Sequence, residues 1–205
     1  MNDPGRVNQP AFWRDLYESG ADRWELGGPN PSLVAHLRPA APPAGTRVAV
    51  PGCGRGHDCR LLARLGYEVW GFDWAAEALA TAQRLAEEQR LRIDFELRDV
   101  FELAADYAGF FDGLWEYTCF CAIDPTRRRE YVELVARLLK PGGWLLACFF
   151  PMREGTGGPP FPTSEAEVRR LFEPRFTFVE AYVPEASAPG RQGQEWMVRA
   201  SRMAD

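Results

Sequence analysis

One short stretch constrains the fold of this chain more than any other part. It reads VAVPGCGRGHDCRLLARLGYEVWGFD and runs from Val48 to Asp73. An apolar strand leads into three glycines, a helix-like segment follows, and a second apolar strand ends in an aspartate. Glycines directly after a strand let the backbone approach a ligand, and the start of the next helix presents free N–H groups. The stretch therefore predicts a β–α–β unit that holds a nucleotide-like cofactor.

The spacing of these glycines distinguishes between cofactors. A dinucleotide-binding fingerprint is GxGxxG. Here Gly52, Gly54 and Gly56 form GxGxG, and His57 stands where the third glycine of the fingerprint would be. Asp73 ends the second strand, where an acid can bind two ribose hydroxyls of either type of cofactor. The spacing favours S-adenosylmethionine, which has no pyrophosphate, over NAD.

The rest of the chain alternates between strand-like and helix-like segments. Strand patterns cover residues 46–51, 67–73, 92–97, 110–116 and 144–150, followed by two more near 175–183 and 194–200. Helix patterns cover residues 57–65 and 76–90, a segment opened by Asp124-Pro125, and one opened by the capping box Ser164-x-x-Glu167. Such alternation is typical of an α/β fold with a mostly parallel sheet and helices on both faces. The last two strands have no helix between them and are predicted to form an antiparallel edge pair.

Aromatic residues precede the first sheet strand. A helix predicted at residues 11–20 carries four side chains on one face: Phe12, Trp13, Leu16 and Tyr17. Trp24 follows across a turn. We predict that residues 1–40 form a helical lid segment and that residues 41–205 form the cofactor-binding domain. The alternative is a helix that only plugs the end of the sheet.

Composition excludes several classes of function. The chain has 205 residues, a formal net charge of -5 and a pI of about 5.2. Because nucleic acids are bound by basic surfaces, we expect no nucleic-acid partner. No apolar run is long enough to span a membrane, and the N-terminus lacks a signal pattern, so we expect a cytoplasmic protein. Five cysteines and two histidines predict neither a disulfide framework nor a metal site. Cys119 and Cys121 are expected to be small apolar side chains at a strand end.

Four motifs occur in order along the chain: WELGGPNPSLV, VPGCGRGHDC, FCAIDPTRRREYV and GGPPF. Together they resemble the thiopurine methyltransferase family of the class I S-adenosylmethionine-dependent methyltransferases, and within it most closely the halide/thiol (thiocyanate) methyltransferases. The segments FELRDVF and LLKPGGWLLACFF resemble the adenine-contacting segment and the start of the fifth strand in that class. The resemblance spans residues 11–200. It implies a Rossmann-like fold with a seven-stranded sheet and an S-adenosylmethionine cofactor.

The resemblance also implies a set of cofactor-binding positions: Trp13, Tyr17, Trp24, Gly52, Gly54, Asp73, Asp99, Val100 and Tyr117. The three N-terminal aromatic residues would cover the cofactor, although Tyr17 replaces the family's more usual tryptophan. Asp73 would bind ribose, and the pair Asp99 and Val100 would read adenine. Tyr117 would lie beside the methionine part and the reaction centre, and it is the one catalytic candidate.

Plainer roles for some of these residues stay open. Trp13 and Trp24 could only pack a helix, Asp99 could be a solvated loop acid, and Tyr117 and Phe120 could be ordinary core aromatic residues. The run of arginines at residues 127–129 is expected to be a solvated helix face and not an anion site.

The implied reaction is an in-line displacement at an activated sulfonium methyl group, for which an enzyme mainly supplies alignment. Halide, thiocyanate and bisulfide arrive as anions and need no general base. Six aromatic side chains are candidates for the wall of the acceptor pocket: Phe12, Trp13, Tyr117, Phe120, Phe149 and Phe150. The alternatives are a thiopurine-type methyltransferase of organic thiols, an NAD-dependent oxidoreductase and a non-catalytic cofactor-binding protein. The expected partner is a small-molecule nucleophile. The sequence does not identify the natural acceptor or the oligomeric state, and it is compatible with a monomer.

Overall fold

A computed structural model describes residues 4–37 and 42–204 of the chain. Its seven strands are β1 (Arg47–Pro51), β2 (Glu68–Asp73), β3 (Asp94–Leu97), β4 (Phe111–Tyr117), β5 (Leu139–Phe149), β6 (Phe176–Tyr182) and β7 (Trp196–Arg202). The α-helices are α1 (Pro10–Glu18), α2 (Pro31–His36), α3 (His57–Arg64), α4 (Ala76–Glu88), α5 (Ala104–Tyr107), α6 (Arg128–Leu138) and α7 (Glu165–Phe172). Short 3-10 helices occupy Pro4–Asn8, Val100–Glu102 and Pro125–Arg127.

The strands form one sheet in the order β3-β2-β1-β4-β5-β7-β6. The first five strands are parallel to one another, and β7 is antiparallel to both β5 and β6. The predicted sheet with its antiparallel C-terminal pair is confirmed. Strand order reverses between β1 and β4, and in open α/β sheets ligands bind outside the carboxyl ends of the strands at such a point.

Alternate residues of the central strands pack on opposite faces of the sheet. On β1, Ala49 belongs to a cluster shared with α6 and α7, whereas Val48 and Val50 belong to a cluster shared with α2 and α3. On β5, Phe149 faces the α6 and α7 side and Cys148 faces the other. Because side chains alternate along a strand and both faces are covered, the central strands are continuously apolar.

The strand predicted at residues 144–150 begins earlier, at Leu139. Leu139 pairs with Phe111, the register then shifts, and Trp144 pairs with Gly113. The indole ring of Trp144 lies against the backbone of Gly113, where an added Cβ would come within 2.0 Å of it. The Pro141-Gly142-Gly143 segment therefore forms an irregularity within β5 and not a loop before it.

Arg128 contradicts the predicted solvated helix face. Its side chain is only 2% exposed, and its guanidinium lies 4.6 Å from the ring centroid of Phe120. It donates hydrogen bonds to the carbonyl oxygens of Phe161 and Pro162 and pairs with Glu167 at 2.8 Å. Burial of this cation is possible because these acceptors surround it, an arrangement made by the loop after β5 that the local pattern did not indicate.

Two predicted helix caps are present, at Asp124 and Ser164, but the capping box at Ser164 forms only in part. The Asp124 carboxylate accepts the N–H of Thr126 at 2.9 Å, and the Ser164 hydroxyl accepts the N–H of Glu167 at 3.2 Å. The Glu167 carboxylate accepts from Arg128 and from the Thr163 hydroxyl, at 2.8 and 2.9 Å. The second half of the predicted capping box is thus replaced by a tertiary ion pair.

Candidate active site

A cavity of about 580 Å³ lies at the carboxyl ends of β1, β2, β4 and β5 and is hereafter the principal cavity. Six of the residues predicted to bind the cofactor line it: Trp13, Tyr17, Trp24, Gly52, Asp73 and Val100. Gly54 and Tyr117 line a smaller side cavity of about 60 Å³, which shares Tyr17, Trp24 and Gly52 with the first. Asp99 directly precedes the lining residue Val100. The structure therefore brings the predicted set together at one place.

The glycine loop after β1 requires glycine at particular positions. Gly54 has a φ of 54°, and a Cβ there would lie 3.0 Å from the hydroxyl oxygen of Tyr17. Gly56, with a φ of 67°, precedes α3, and a Cβ there would lie 2.8 Å from the Phe95 ring. Both the left-handed backbone and the close contacts exclude larger residues, so the loop presents bare backbone to the cavities.

Asp73 ends β2 and anchors this loop. Its carboxylate oxygens accept the backbone N–H groups of Gly54, at 2.8 Å, and of Ala75, at 2.9 Å. Burial raises the pKa of Asp73, because the charged form loses hydration. The sequence predicted a ligand-binding acid at this position, and the structure adds a structural role in which Asp73 joins the ends of β1 and β2.

Asp99 begins the 3-10 helix Val100–Glu102. Its Oδ1 accepts the N–H of Phe101 at 2.9 Å, and partial burial raises the pKa of its carboxyl group. Val100 and Phe101 both line the principal cavity. Asp99 is thus a half-buried capping residue at the rim and not a freely solvated loop acid.

The N-terminal aromatic residues pack edge to face against one another. The ring centroid of Trp24 lies 5.6 Å from that of Trp13 and 5.4 Å from that of Tyr17. The indole N–H of Trp24 donates to the Tyr17 hydroxyl at 3.1 Å. Phe12 and Leu16 line the principal cavity with these three residues, so the face predicted for α1 is the face that lines the cavity.

Ion pairs join the N-terminal segment to the glycine loop. Arg55 donates to Asp22 and, at 2.9 Å, to Glu25. Glu25 also contacts Nε2 of His57 at 2.8 Å. The hydrogen bond from His57 is the largest cause that lowers the pKa of Glu25 to about 2. Charged residues on both segments were visible in the sequence, but no local pattern indicated that they would meet.

The helix α2 belongs to the core of the molecule. Leu33 is fully buried with Val48 and Val50 of β1 in one cluster. The residues of the N-terminal segment that line the principal cavity precede α2 and do not belong to this buried cluster. The boundary predicted at residues 40 and 41 falls outside the described residues.

Arg191, in the loop before β7, lines the principal cavity and was missed by the sequence analysis. It is 8% exposed, and its guanidinium lies 4.4 Å from the ring centroid of Phe150. One of its N–H groups donates to the hydroxyl of Tyr117. Within the described parts of the chain, Arg191 forms no ion pair with a carboxylate. A lone arginine in a glycine-rich loop carried no signal of this position.

The predicted aromatic wall is only partly correct. Phe12, Trp13 and Phe150 line the principal cavity, and Tyr117 lines the side cavity. Phe120 and Phe149 are 1% and 2% exposed and pack against Phe172 in the core. The prediction was wrong for these two residues. Alternation along β5 turns Phe149 toward the helices and leaves its neighbour Phe150 for the cavity, whereas Phe120 packs against Tyr131 of α6.

The cysteine side chains near the cavity are buried thiols. Cys119 and Cys121 both line the principal cavity, and burial raises the pKa of Cys121 to about 12. All five cysteines are free thiols. Across residues 4–37 and 42–204, no cluster of three or more His, Cys, Asp or Glu side chains suited to a metal ion occurs. In the same residues, no helix is both long enough and apolar enough to cross a membrane.

Comparison with known proteins finds relatives along nearly the whole chain. The family model described as thiopurine S-methyltransferase (TPMT) matches residues 8–204. A probable thiol methyltransferase 2 of Arabidopsis thaliana is 32% identical over 94% of this chain and 85% of the relative. A thiocyanate methyltransferase 1 of the same plant is 30% identical over 91% of this chain and 82% of the relative.

The fold has close structural counterparts. The crystal structure of Burkholderia thailandensis 1,6-didemethyltoxoflavin-N1-methyltransferase with bound S-adenosylhomocysteine aligns with a TM-score of 0.77. The two chains are 22% identical, and the alignment covers 100% of this chain and 92% of that chain. This likeness confirms the predicted Rossmann-like methyltransferase fold. Together with the family match, it leads to the conclusion that this chain belongs to the thiopurine S-methyltransferase family and is an S-adenosylmethionine-dependent methyltransferase.

Proposed function

We propose that this enzyme methylates a small, soft, anionic nucleophile, such as thiocyanate, bisulfide, a halide or a small thiolate, by in-line displacement. The observation that carries the proposal is Arg191, a buried cation at an aromatic cavity that no carboxylate of the described chain neutralises directly. The guanidinium of Arg191 donates to the neutral Tyr117 hydroxyl and the Trp24 carbonyl, so an anion that enters the cavity would be stabilised by this cation. The thiol and thiocyanate methyltransferases among the relatives support this class of acceptor.

The residues around the cavities fit S-adenosylmethionine. The Asp73 oxygens accept the backbone N–H groups of Gly54 and Ala75, and in this proposal the carboxylate also accepts from a ribose hydroxyl. In this proposal Oδ2 of Asp99 accepts from the adenine amine, while Val100 contacts the ring. Gly52 and Gly54 leave room for the methionine part in the side cavity, and the edge-to-face aromatic residues of the N-terminal segment cover the sulfonium.

The proposed mechanism requires alignment and the exclusion of water. S-adenosylmethionine supplies a methyl group that is already activated on a positively charged sulfur. Arg191 draws the anion into the cavity and holds it, while Phe12, Trp13 and Phe150 replace its hydration shell. Holding two reactants in line can contribute about 7–11 kcal/mol. Since the acceptor arrives ionised, no side chain has to remove a proton from it.

A thiopurine-type acceptor is the second candidate, because the matching family model carries that description. A volume of about 580 Å³ lies within the range of sites for one drug-sized ligand. Since the cofactor occupies part of the same volume in our proposal, a small acceptor leaves a better fit than a purine ring.

A panel of acceptors tests the proposal. The protein is incubated with S-adenosylmethionine and iodide, thiocyanate, bisulfide, a small thiol or a thiopurine, and S-adenosylhomocysteine and volatile methyl products are measured. We expect turnover with thiocyanate or bisulfide, and about a tenfold lower kcat/KM for thiocyanate in Arg191→Ala, as for the loss of a charged contact. Arg129→Ala, at an exposed arginine, is the matched control. Turnover with the thiopurine alone would favour the second candidate.

A further inference from the structure

A buried chain of hydrogen bonds begins at Arg191 and ends at Glu195. Arg191 donates to the Tyr117 hydroxyl, and this hydroxyl donates to Oε1 of Glu195 at 2.7 Å. Glu195 directly precedes β7 and is 1% exposed. Tyr117 ends β4, so the chain connects residues that are 74 and 78 positions apart in the sequence. Neither Arg191 nor Glu195 was singled out by the sequence analysis.

The direction of this chain follows from the chemistry of its members. A guanidinium can only donate hydrogen bonds, and a tyrosine hydroxyl has a single proton and lone pairs that accept. Because the Tyr117 hydroxyl oxygen accepts from Arg191, the hydroxyl proton must point to Glu195. Burial raises the pKa of Tyr117, so the hydroxyl keeps that proton. The chain therefore holds Arg191 at one end and the carboxylate of Glu195 at the other.

Glu195 is itself held by a second hydroxyl. The Ser187 hydroxyl donates to Oε2 of Glu195. The Ser32 hydroxyl lies 3.4 Å from the same oxygen but directs its proton to the carbonyl of Ala186, at 2.6 Å. Ser187 and Tyr117 are thus the two effective donors to this carboxylate. Such fixing is needed, because a buried carboxylate without a direct cationic partner depends on its hydrogen bonds.

This arrangement places the carboxylate of Glu195 near the guanidinium of Arg191 without direct contact between the two charged groups. A direct ion pair between Arg191 and a carboxylate would occupy the guanidinium that lines the principal cavity. With the Tyr117 hydroxyl between them, the two opposite charges remain near each other while the guanidinium still faces the cavity beside Phe150.

We propose that Glu195 is a positioning residue that acts through the Tyr117 hydroxyl to orient Arg191 toward the anionic acceptor. The inference rests on the proposed function, since it assigns Arg191 to that acceptor. For removal of the Glu195 charge, it predicts a change in anion affinity opposite in sign to the change expected from charge alone. Removal of a negative charge near Arg191 would strengthen anion binding if charge alone mattered. Loss of orientation weakens it.

The test measures thiocyanate binding to the complex of the full-length protein with S-adenosylhomocysteine by calorimetry. We expect Tyr117→Phe and Glu195→Gln each to weaken thiocyanate binding about tenfold, as for the loss of one charged hydrogen bond. Because Tyr117→Phe interrupts the chain and Glu195→Gln removes the charge of its final acceptor, the double variant is expected to bind no more weakly than Tyr117→Phe. In turnover by Glu195→Gln, the KM for thiocyanate is expected to rise while kcat changes by less than about twofold, the pattern of lost binding without lost transition-state contacts.

Tyr182→Phe is the matched control, because it removes a half-buried tyrosine hydroxyl on β6 that contacts His36 and lies outside the chain and both cavities. It is expected to leave thiocyanate binding unchanged. Unchanged or tighter thiocyanate binding in both chain variants, additive effects in the double variant, or no thiocyanate binding by the wild-type complex would each overturn the inference. If Glu195→Gln fails to fold, Tyr117→Phe alone decides it, with the urea unfolding midpoint as a measure of intact structure.

The same experiment separates this inference from the proposed function. Thiocyanate binding that depends on Tyr117 and Glu195 but never leads to methyl transfer would overturn the proposed acceptor and support the inference. Methyl transfer to thiocyanate with KM unchanged in both variants would support the acceptor and overturn the inference.

Discussion

The carboxylate of Asp73, at the end of β2, accepts the backbone N–H of Gly54 at 2.8 Å and thereby ties β2 to the glycine loop after β1. Its other oxygen accepts the N–H of Ala75. One side chain thus shapes the loop that we propose to hold the cofactor and also provides the proposed acceptor of the ribose hydroxyls. The two roles make separate contributions to stability and to binding.

Replacement of Asp73 should affect both quantities. We expect Asp73→Ala to weaken binding of S-adenosylhomocysteine by about 1.5–3 kcal/mol, as for lost hydrogen bonds to a charged group. It should also lower the free energy of unfolding by about 1–3 kcal/mol, because it leaves buried N–H groups without an acceptor. Calorimetric binding and urea unfolding measure the two effects, with Asp94→Ala, at an exposed acid of β3, as the control. NAD binding tighter than that of S-adenosylhomocysteine would contradict the proposed site.

Asp99→Ala tests the adenine contact. The dissociation constant for S-adenosylhomocysteine should rise, while the free energy of unfolding falls by only about 1 kcal/mol, as for the loss of a helix cap. Titration calorimetry and thermal unfolding separate the two. A large drop in stability together with normal affinity of the folded fraction would mean that Asp99 is structural only.

Truncation tests the lid proposal. A chain that lacks residues 1–24 retains α2, with Leu33 in the core, and should remain folded. It should bind S-adenosylhomocysteine weakly and have almost no turnover, because the aromatic cover of the cavity is gone. In the intact protein, limited proteolysis should cut this segment less readily when S-adenosylhomocysteine is bound. Full activity of the truncated chain, or cleavage that the cofactor product does not slow, would show that the segment is no lid.

Glu116 predicts a dependence of stability on pH. Burial raises the pKa of Glu116 from 4.5 to about 7 in the folded protein, where it contacts the N–H of Phe120 and the Tyr131 hydroxyl. Between these two values the folded state holds a proton that the unfolded state has lost. The stabilising contribution is therefore complete below about pH 4.5 and is lost as the pH rises through about 7, with a total of about 3 kcal/mol.

Glu116→Gln, which mimics the protonated side chain, should remove this dependence. Urea unfolding of the two proteins between pH 5 and pH 8 should show the wild type losing stability relative to the variant as the pH rises. Glu154→Gln, at an exposed glutamate, should leave the slope unchanged. Parallel stability curves for wild type and Glu116→Gln would show that this carboxyl group does not hold its proton on folding.

Local physical chemistry made much of this protein predictable. The glycine loop, the acid at the end of β2 and the cap by Asp124 follow from backbone conformation and from hydrogen bonds between near neighbours, which a short stretch of sequence specifies. The doubly buried parallel strands follow from continuous apolar runs. These features are enough to place the proposed cofactor site at the carboxyl ends of β1 and β2.

Tertiary structure alone decided the groups around the acceptor. Arg191 and Glu195 reach Tyr117 from a loop more than seventy residues away, and Arg128 is buried only because the loop after β5 surrounds it with acceptors. The packing of α6 and α7 on one face of β5 decided that Phe149 enters the core while Phe150 faces the cavity. The physical reason is common to all of them. The environment of a charged or aromatic side chain depends on distant segments that pack against it, and spacing along the chain does not encode which segments those are.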